Sequence, residues 1–222
     1  MHPIAMDTTD RQTAYWNQVA AHATFTHPLC RDLLQTLITP SAHILDYGCG
    51  YGRTCAELVH AGYRNTIGVD TSSAMIARGR SLHPDLQLHQ ITEGALPFAE
   101  ATFDVCLLLA VLTCIPTDAG QRHVIDEVRR VLRPGGILYL SDYPLQHDAR
   151  NRARYARDQQ RCDVYGAFHL AGGGIARHHE MSWIEELLAP FALMRHDRLT
   201  VPTMHGHEAT IFQILARQPS SR

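Results

Sequence analysis

The chain has 222 residues, 45% of them hydrophobic and 19% charged, which suits one sizeable core rather than two. Its 20 lysines and arginines stand against 22 acidic residues, a net charge of -2, so no broad basic surface for nucleic acid or anionic lipid is expected. The six cysteines, Cys30, Cys49, Cys55, Cys106, Cys114 and Cys162, include no CxxC pair, which argues against a zinc ribbon or a thioredoxin-type redox site. The opening residues lack a basic segment followed by an apolar run, and the apolar stretch Val105–Val111 is far too short to span a bilayer, so a soluble, cytoplasmic protein is expected.

Along the chain, residues 11–38 read as helical: Tyr15, Trp16, Val19, Ala20 and Ala23 share one stripe, and Leu29, Leu33, Leu34, Leu37 and Ile38 another, until Pro40 stops the pattern. Strand-like and helix-like segments then alternate. Strands are expected at 43–47, 65–69, 86–91, 103–110 and 137–141, with helices at 53–61, 72–81 and 118–132 between them. Short apolar strands joined by helices imply a parallel sheet covered on both faces, the doubly wound α/β arrangement. Pro134-Gly135-Gly136 reads as a turn into the fifth strand.

Beyond Asp142 the pattern changes. A polar helix is expected around 148–161, where Arg150, Arg152, Arg154, Arg157 and Arg161 alternate with Asp148, Asp158 and Asp163; the plain reading is a solvated face, with a local anion site as the alternative. Gly172-Gly173-Gly174 suits a flexible lid, Ser182 with Glu185 suits a capping box for a helix at 183–188, and 191–200 with 208–216 suit an antiparallel edge pair. The whole is read as one domain: helices over 1–40 closing on a cofactor-binding core at 41–142, followed by a substrate cap and edge strands at 143–217.

The most informative stretch is Asp46-Tyr47-Gly48-Cys49-Gly50-Tyr51-Gly52, with Asp70 ending the next strand. Alternating glycines let a backbone turn sharply and approach a ligand, and a carboxylate at the end of the second strand can accept both hydroxyls of a ribose. With Ile67–Asp70, Leu96-Pro97-Phe98, Phe103-Asp104-Val105 and Glu127–Gly136, this stretch resembles the class I S-adenosylmethionine-dependent methyltransferases over residues 43–142. The resemblance implies a Rossmann-like, doubly wound, seven-stranded sheet, mostly parallel with an antiparallel edge hairpin, and S-adenosylmethionine as cofactor. It places Asp46, Gly48, Gly50 and Gly52 in the cofactor loop, Asp70 on the ribose, Thr71 and Met75 beside the adenine, Thr92 or Glu93 near the adenine amino group, and Ala110 near the methionine moiety.

Such chemistry needs orientation and desolvation more than a protein acid or base. Tyr15 is expected to face the sulfonium, the alternative being a core aromatic. Asp142 and Tyr143 follow the fifth strand, where this fold places ligands. Tyr165, Arg177, His178 and His179 flank the triple glycine, and Thr203, His205 and His207 occupy the last turn. Of these, Tyr15, Tyr143, Tyr165, His179, Thr203 and His205 are the candidate reaction-centre residues. The histidines suit proton transfer or polar contact; no metal is assigned, because no third ligand is fixed by spacing. The expected activity is methyl transfer to a small metabolite. The alternative is cyclisation of S-adenosylmethionine itself to azetidine-2-carboxylate and methylthioadenosine, with Tyr15 and either Tyr143 or Tyr165 around the sulfonium. Neither reading involves nucleic acid or a membrane, and a monomer or homodimer is expected.

Overall fold

The computed structural model describes residues 8–92, 96–204 and 206–220. Helix α1 (Thr8–Val19) and the short α2 (Arg31–Gln35) precede an alternation of β1 (Ile44–Tyr47), α3 (Arg53–His60), β2 (Thr66–Asp70), α4 (Ser73–Leu82), β3 (Gln87–Gln90), β4 (Phe103–Leu109), α5 (Asp118–Val131) and β5 (Leu132–Asp142). There follow α6 (Ala149–Asp158), the hairpin β6 (Ala167–His169) and β7 (Ile175–Arg177), α7 (Met181–Leu187), β8 (Ala192–Pro202) and β9 (Glu208–Arg217).

Among the described residues, seven strands form one sheet in the order β3-β2-β1-β4-β5-β9-β8, parallel except for β9 and β8. Period-two alternation splits its apolar side chains between two cores. Leu45, Cys106, Leu108, Leu138 and Leu140 face Val124, Ile125 and Val128 of α5. Ile44, Val105, Leu107, Ile137 and Tyr139 face Leu34, Leu58 and Tyr63 on the other side. Because both faces are covered, the strands carry unbroken apolar runs, and each such side chain contributes roughly 1.5–3 kcal/mol of burial.

Two helix starts follow the expected chemistry. Ser72 caps α4 by accepting from Met75 N, and Thr117 caps α5 by accepting from Gly120 N. Three expectations change. The helical stripe over 11–38 is broken: α1 ends at Val19, and 20–30 is a turn and extended loop, because Pro28 disfavours helical backbone at His27. The Pro134–Gly136 turn lies inside β5, where it interrupts the register against β4 between Phe103 and Val105. Ser182 is no cap; α7 begins two residues earlier than expected, at Met181, behind Glu180, which makes no side-chain capping bond.

The loop replacing the expected helix is tied down. Asn17 Oδ1 accepts from Ser72 Oγ at 2.7 Å and Ala74 N at 3.1 Å, and Arg78 Nη1 donates to Ala20 O and Ala23 O, both at 2.7 Å. Cys30 N donates to the Tyr139 hydroxyl at 3.1 Å, and Arg53 donates to His27 O. These bonds hold residues 20–30 across the carboxyl ends of β1 and β5.

Candidate active site

Those strand ends enclose a cavity of about 360 Å³, lined at one end by Asp46, Gly48, Asp70, Thr71 and Met75. Asp70 Oδ2 accepts from Gly50 N and Oδ1 from Ser72 N, each at 2.8 Å. Each carboxylate oxygen has a second lone pair, so this acceptor can also take a vicinal diol. Burial raises its pKa, and the backbone amides work against that rise. Asp46, 2% exposed, is raised to about 7 by burial and accepts the Cys55 thiol at 3.4 Å. A half-buried carboxylate at the sugar position and a buried one at the loop, with Met75 and Ile91 as apolar walls, fit the nucleoside of the cofactor that the resemblance implies.

Ala110, also on the cavity wall, has a φ of 55°. A non-glycine residue in the left-handed region costs on the order of 1 kcal/mol and is held only where its surroundings impose it. Its N–H donates to Ser141 O at 2.8 Å and its carbonyl accepts the Cys114 thiol at 3.4 Å, which fixes the β4 end beside the cavity.

The cavity lining also includes His27, a residue without a role in the sequence analysis. Ser141 Oγ donates to Phe212 O at 2.9 Å and lies 2.7 Å from His27 Nε2, so Nε2 must carry the ring proton. That leaves Nδ1 as a bare acceptor, buried and without a hydrogen-bond partner among the described residues. Burial, with Arg53 adjacent, lowers the His27 pKa to about 3, so the ring is neutral at working pH. Tyr143 packs edge-on to His27 at 5.4 Å and stacks on His178 at 5.4 Å.

The other candidates divide sharply. Tyr143 and Thr203 line the cavity. Tyr15 does not: 5% exposed, it packs on the triple-glycine turn, where a Cβ on Gly174 would stand 2.6 Å from its ring, and Trp16 takes the place at the cavity. The triple glycine is therefore the turn of the β6–β7 hairpin, shaped to receive an aromatic face. Gln12 fastens that hairpin, accepting from Ile175 N and donating to Ile175 O, both at 2.7 Å. Tyr165, 46% exposed, meets Tyr155 and does not line the cavity. Gly50 and Gly52 lie behind the wall, against Phe25 and Leu88. Thr92 is exposed while Ile91 lines the cavity; Glu93 and His205 lie outside the described residues. Asp142, fully buried, accepts Tyr143 N at 2.8 Å and Thr113 N at 3.1 Å instead of reaching the cavity.

His178 and His179 point to opposite sides, as their neighbouring positions require, but protein covers both. His178 lines the cavity. His179 turns to α5, with Nε2 3.0 Å from Gln121 Nε2 and Nδ1 3.1 Å from Tyr143 O, so its role is structural. Burial lowers its pKa to about 4 from 6.5, so its contribution to stability is complete above about pH 6.5 and is lost as pH falls toward about 4. Between about pH 7 and about pH 5 the loss is expected to be about 2 kcal/mol. His179→Gln cannot protonate and should lack that share when urea midpoints are compared at the two pH values; parallel profiles for variant and wild type would remove the assignment.

Comparison with known proteins follows the same lines. Residues 45–140 match the family model of the methyltransferase domain. The trans-aconitate 2-methyltransferase of Azoarcus sp. is 32% identical over 165 residues, 73% of this chain and 62% of that protein. The demethylmenaquinone methyltransferase of Beutenbergia cavernae is 32% identical over 105 residues, 47% and 42% of the two chains. This chain thus spans less than two thirds of either relative. A crystal structure described as a SAM-dependent methyltransferase from Methanosarcina mazei superposes with a TM-score of 0.80 at 25% identity, over 85% of this chain and 98% of that one.

Proposed function

This chain belongs to the class I S-adenosylmethionine-dependent methyltransferase family, and from that premise we propose that it transfers a methyl group from S-adenosylmethionine to a small-molecule acceptor. The observation that carries the proposal is the extent of the cavity, which runs from Asp70 on β2, past Tyr143 at the end of β5, to α6 and the β8–β9 turn. A nucleoside seated at Asp70 leaves the far part for a second reactant. The relatives named for demethylmenaquinone and trans-aconitate also support a small acceptor.

When bound, the cofactor supplies a methyl group activated by its sulfonium. The chain supplies position and dryness. Asp70 would hold the ribose hydroxyls, Asp46 the ammonium of the methionine tail, and Met75 with Ile91 the adenine faces. Trp16 and Phe25 would exclude water, and the neutral His27 ring, with Tyr143 against it, would form the wall beside the acceptor. The three segments are read as one working unit, with 8–40 and 143–217 closing over the core.

The cyclase reading loses its specific support, because Tyr15 and Tyr165 stand away from the cavity lining that was to surround the sulfonium. Purified protein incubated with S-adenosylmethionine, alone and with pooled small-molecule acceptors, separates the two readings by mass spectrometry. S-adenosylhomocysteine that forms only with acceptor present is the expected result. Acceptor-independent methylthioadenosine with equal azetidine-2-carboxylate would establish cyclisation instead.

A further inference from the structure

The five arginines at 150–161 separate by partner. Arg157 Nη2 pairs with Asp158 at 2.7 Å and Arg161 with the same carboxylate at 3.8 Å, whereas Arg150, Arg152 and Arg154 form no ion pair among the described residues, and of these three Arg150 and Arg154 line the cavity. Positions 150 and 154 share one face of α6. Both line the main cavity, and both line a second concavity on the outer side of the hairpin, with Arg157, Phe168 and Leu170. Arg154 lies flat on Phe168, its Cζ 3.6 Å from the ring centroid, and its buried Nε has no hydrogen-bond partner among the described residues.

The neighbouring imidazole adds a donor. Tyr155 Oη accepts from Gln146 N at 3.1 Å and lies 2.5 Å from His178 Nδ1. The arrangement that satisfies both ends of this hydroxyl has it donating to Nδ1, which puts the ring proton on Nε2. Nε2 stands 3.4 Å from Arg154 Nη2. Both groups line the cavity, so with the ring in that tautomer they can share an acceptor placed between them. Sheet order sets this corner at the opposite end from the two carboxylates of the cofactor loop: Asp70 ends β2, on one side of β1, while α6 follows β5 on the other. Gln146 fixes it there, exchanging hydrogen bonds with Thr210 N and O, both at 2.9 Å. The same cavity also carries the apolar Trp16, Leu170 and Ile175 in its lining.

We propose that the acceptor bound in this cavity is an amphipathic organic anion, its apolar body against Trp16, Leu170 and Ile175 and its carboxylate bridging Arg154, His178 Nε2 and Arg150. The inference rests on the methyltransferase reading for the word acceptor, but the anion site itself does not depend on it. A guanidinium without a carboxylate partner matches an organic carboxylate in geometry and charge, and the second arginine-lined concavity gives such a molecule an approach along α6.

The test is calorimetric titration of the full chain, with and without S-adenosylhomocysteine, using benzoate, cinnamate and hexanoate against their neutral amides. The carboxylates are expected to bind and the amides not, and Arg150→Met with Arg154→Met should weaken carboxylate binding by at least about tenfold while S-adenosylhomocysteine still binds. Methionine keeps the apolar stem over Phe168; should the pair fail to fold, the exposed Arg150→Gln alone should still weaken carboxylate binding. Equal binding of amides, unchanged affinity in the variants, or no carboxylate binding to the wild type would each overturn the site. Failure of S-adenosylhomocysteine to bind the wild type would instead overturn the methyltransferase reading, and the titrations without it would still decide the anion site.

Discussion

Replacing Asp70 with alanine is expected to lower affinity for S-adenosylhomocysteine by roughly 100-fold. The carboxylate holds the glycine loop to the start of α4: Gly50 N and Ser72 N each donate to it at 2.8 Å. A hydrogen bond to a charged acceptor contributes about 1.5–3 kcal/mol, and two backbone donors would lose theirs together with any ribose contact. Asn is no conservative replacement, because its amide nitrogen would face one of the two N–H groups. Capping of α4 is independent of Asp70, since Ser72 Oγ accepts from Met75 N at 3.1 Å, so the helix survives the change. Calorimetry paired with a urea titration distinguishes the roles. A lower folding midpoint with undiminished affinity would show that Asp70 shapes the loop without touching the ligand.

The glycine-loop end of the cavity was legible because its information is local. A glycine loop between one strand and one helix, with a carboxylate ending the following strand, places Asp46, Gly48 and Asp70 by chain geometry alone, and the core strands fall within a residue or two of their apolar runs at most ends. The opposite end was not legible for the opposite reason. His27, Arg154 and His178 meet only because a loop, a helix and a hairpin from distant parts of the chain converge on the ends of β1 and β5. His27 sat inside an apolar pattern whose period suited a helix, and only Pro28 hinted that the backbone there is extended. The choice of His179 over His178 turned on which side of an irregular strand faces the cavity, and one residue of register reverses that. Tyr15 over Trp16 failed in the same way, by a single position on α1. The arginine run carried a usable signal, the four-residue spacing of Arg150 and Arg154. What the sequence alone withheld was that Asp158 neutralises Arg157 and Arg161 while Arg150 and Arg154, without an ion pair among the described residues, line the cavity.

Gly50→Ala is expected to be the most damaging single-atom addition in the glycine loop, because it acts on both halves of the site. Gly50 has a φ of 56°, and a Cβ there would stand 2.2 Å from Phe25 Cε2. The left-handed backbone alone costs about 1–2 kcal/mol for alanine, and a ring forced off its packing typically costs about 1–3 kcal/mol more. Phe25 cannot move freely: it stacks on Tyr51 at 5.1 Å and 8°, its N–H donates to the Tyr51 hydroxyl at 3.3 Å, and its edge meets Trp16 at 5.9 Å. Tyr51 is held in turn beneath Arg78, whose Cζ lies 4.0 Å from the ring centroid. Displacing Phe25 therefore shifts Thr26 and His27, which line the cavity beside it. The expected outcome is a fall in folding midpoint together with weakened cofactor binding. Phe25→Ala added to Gly50→Ala should recover part of the stability, because the added methyl then enters the space the ring leaves. A double-mutant cycle measures this coupling, expected at about 1–2 kcal/mol. Strict additivity would mean that the cost lies in the backbone of Gly50 alone and that the loop over the cavity does not depend on the glycine beneath it.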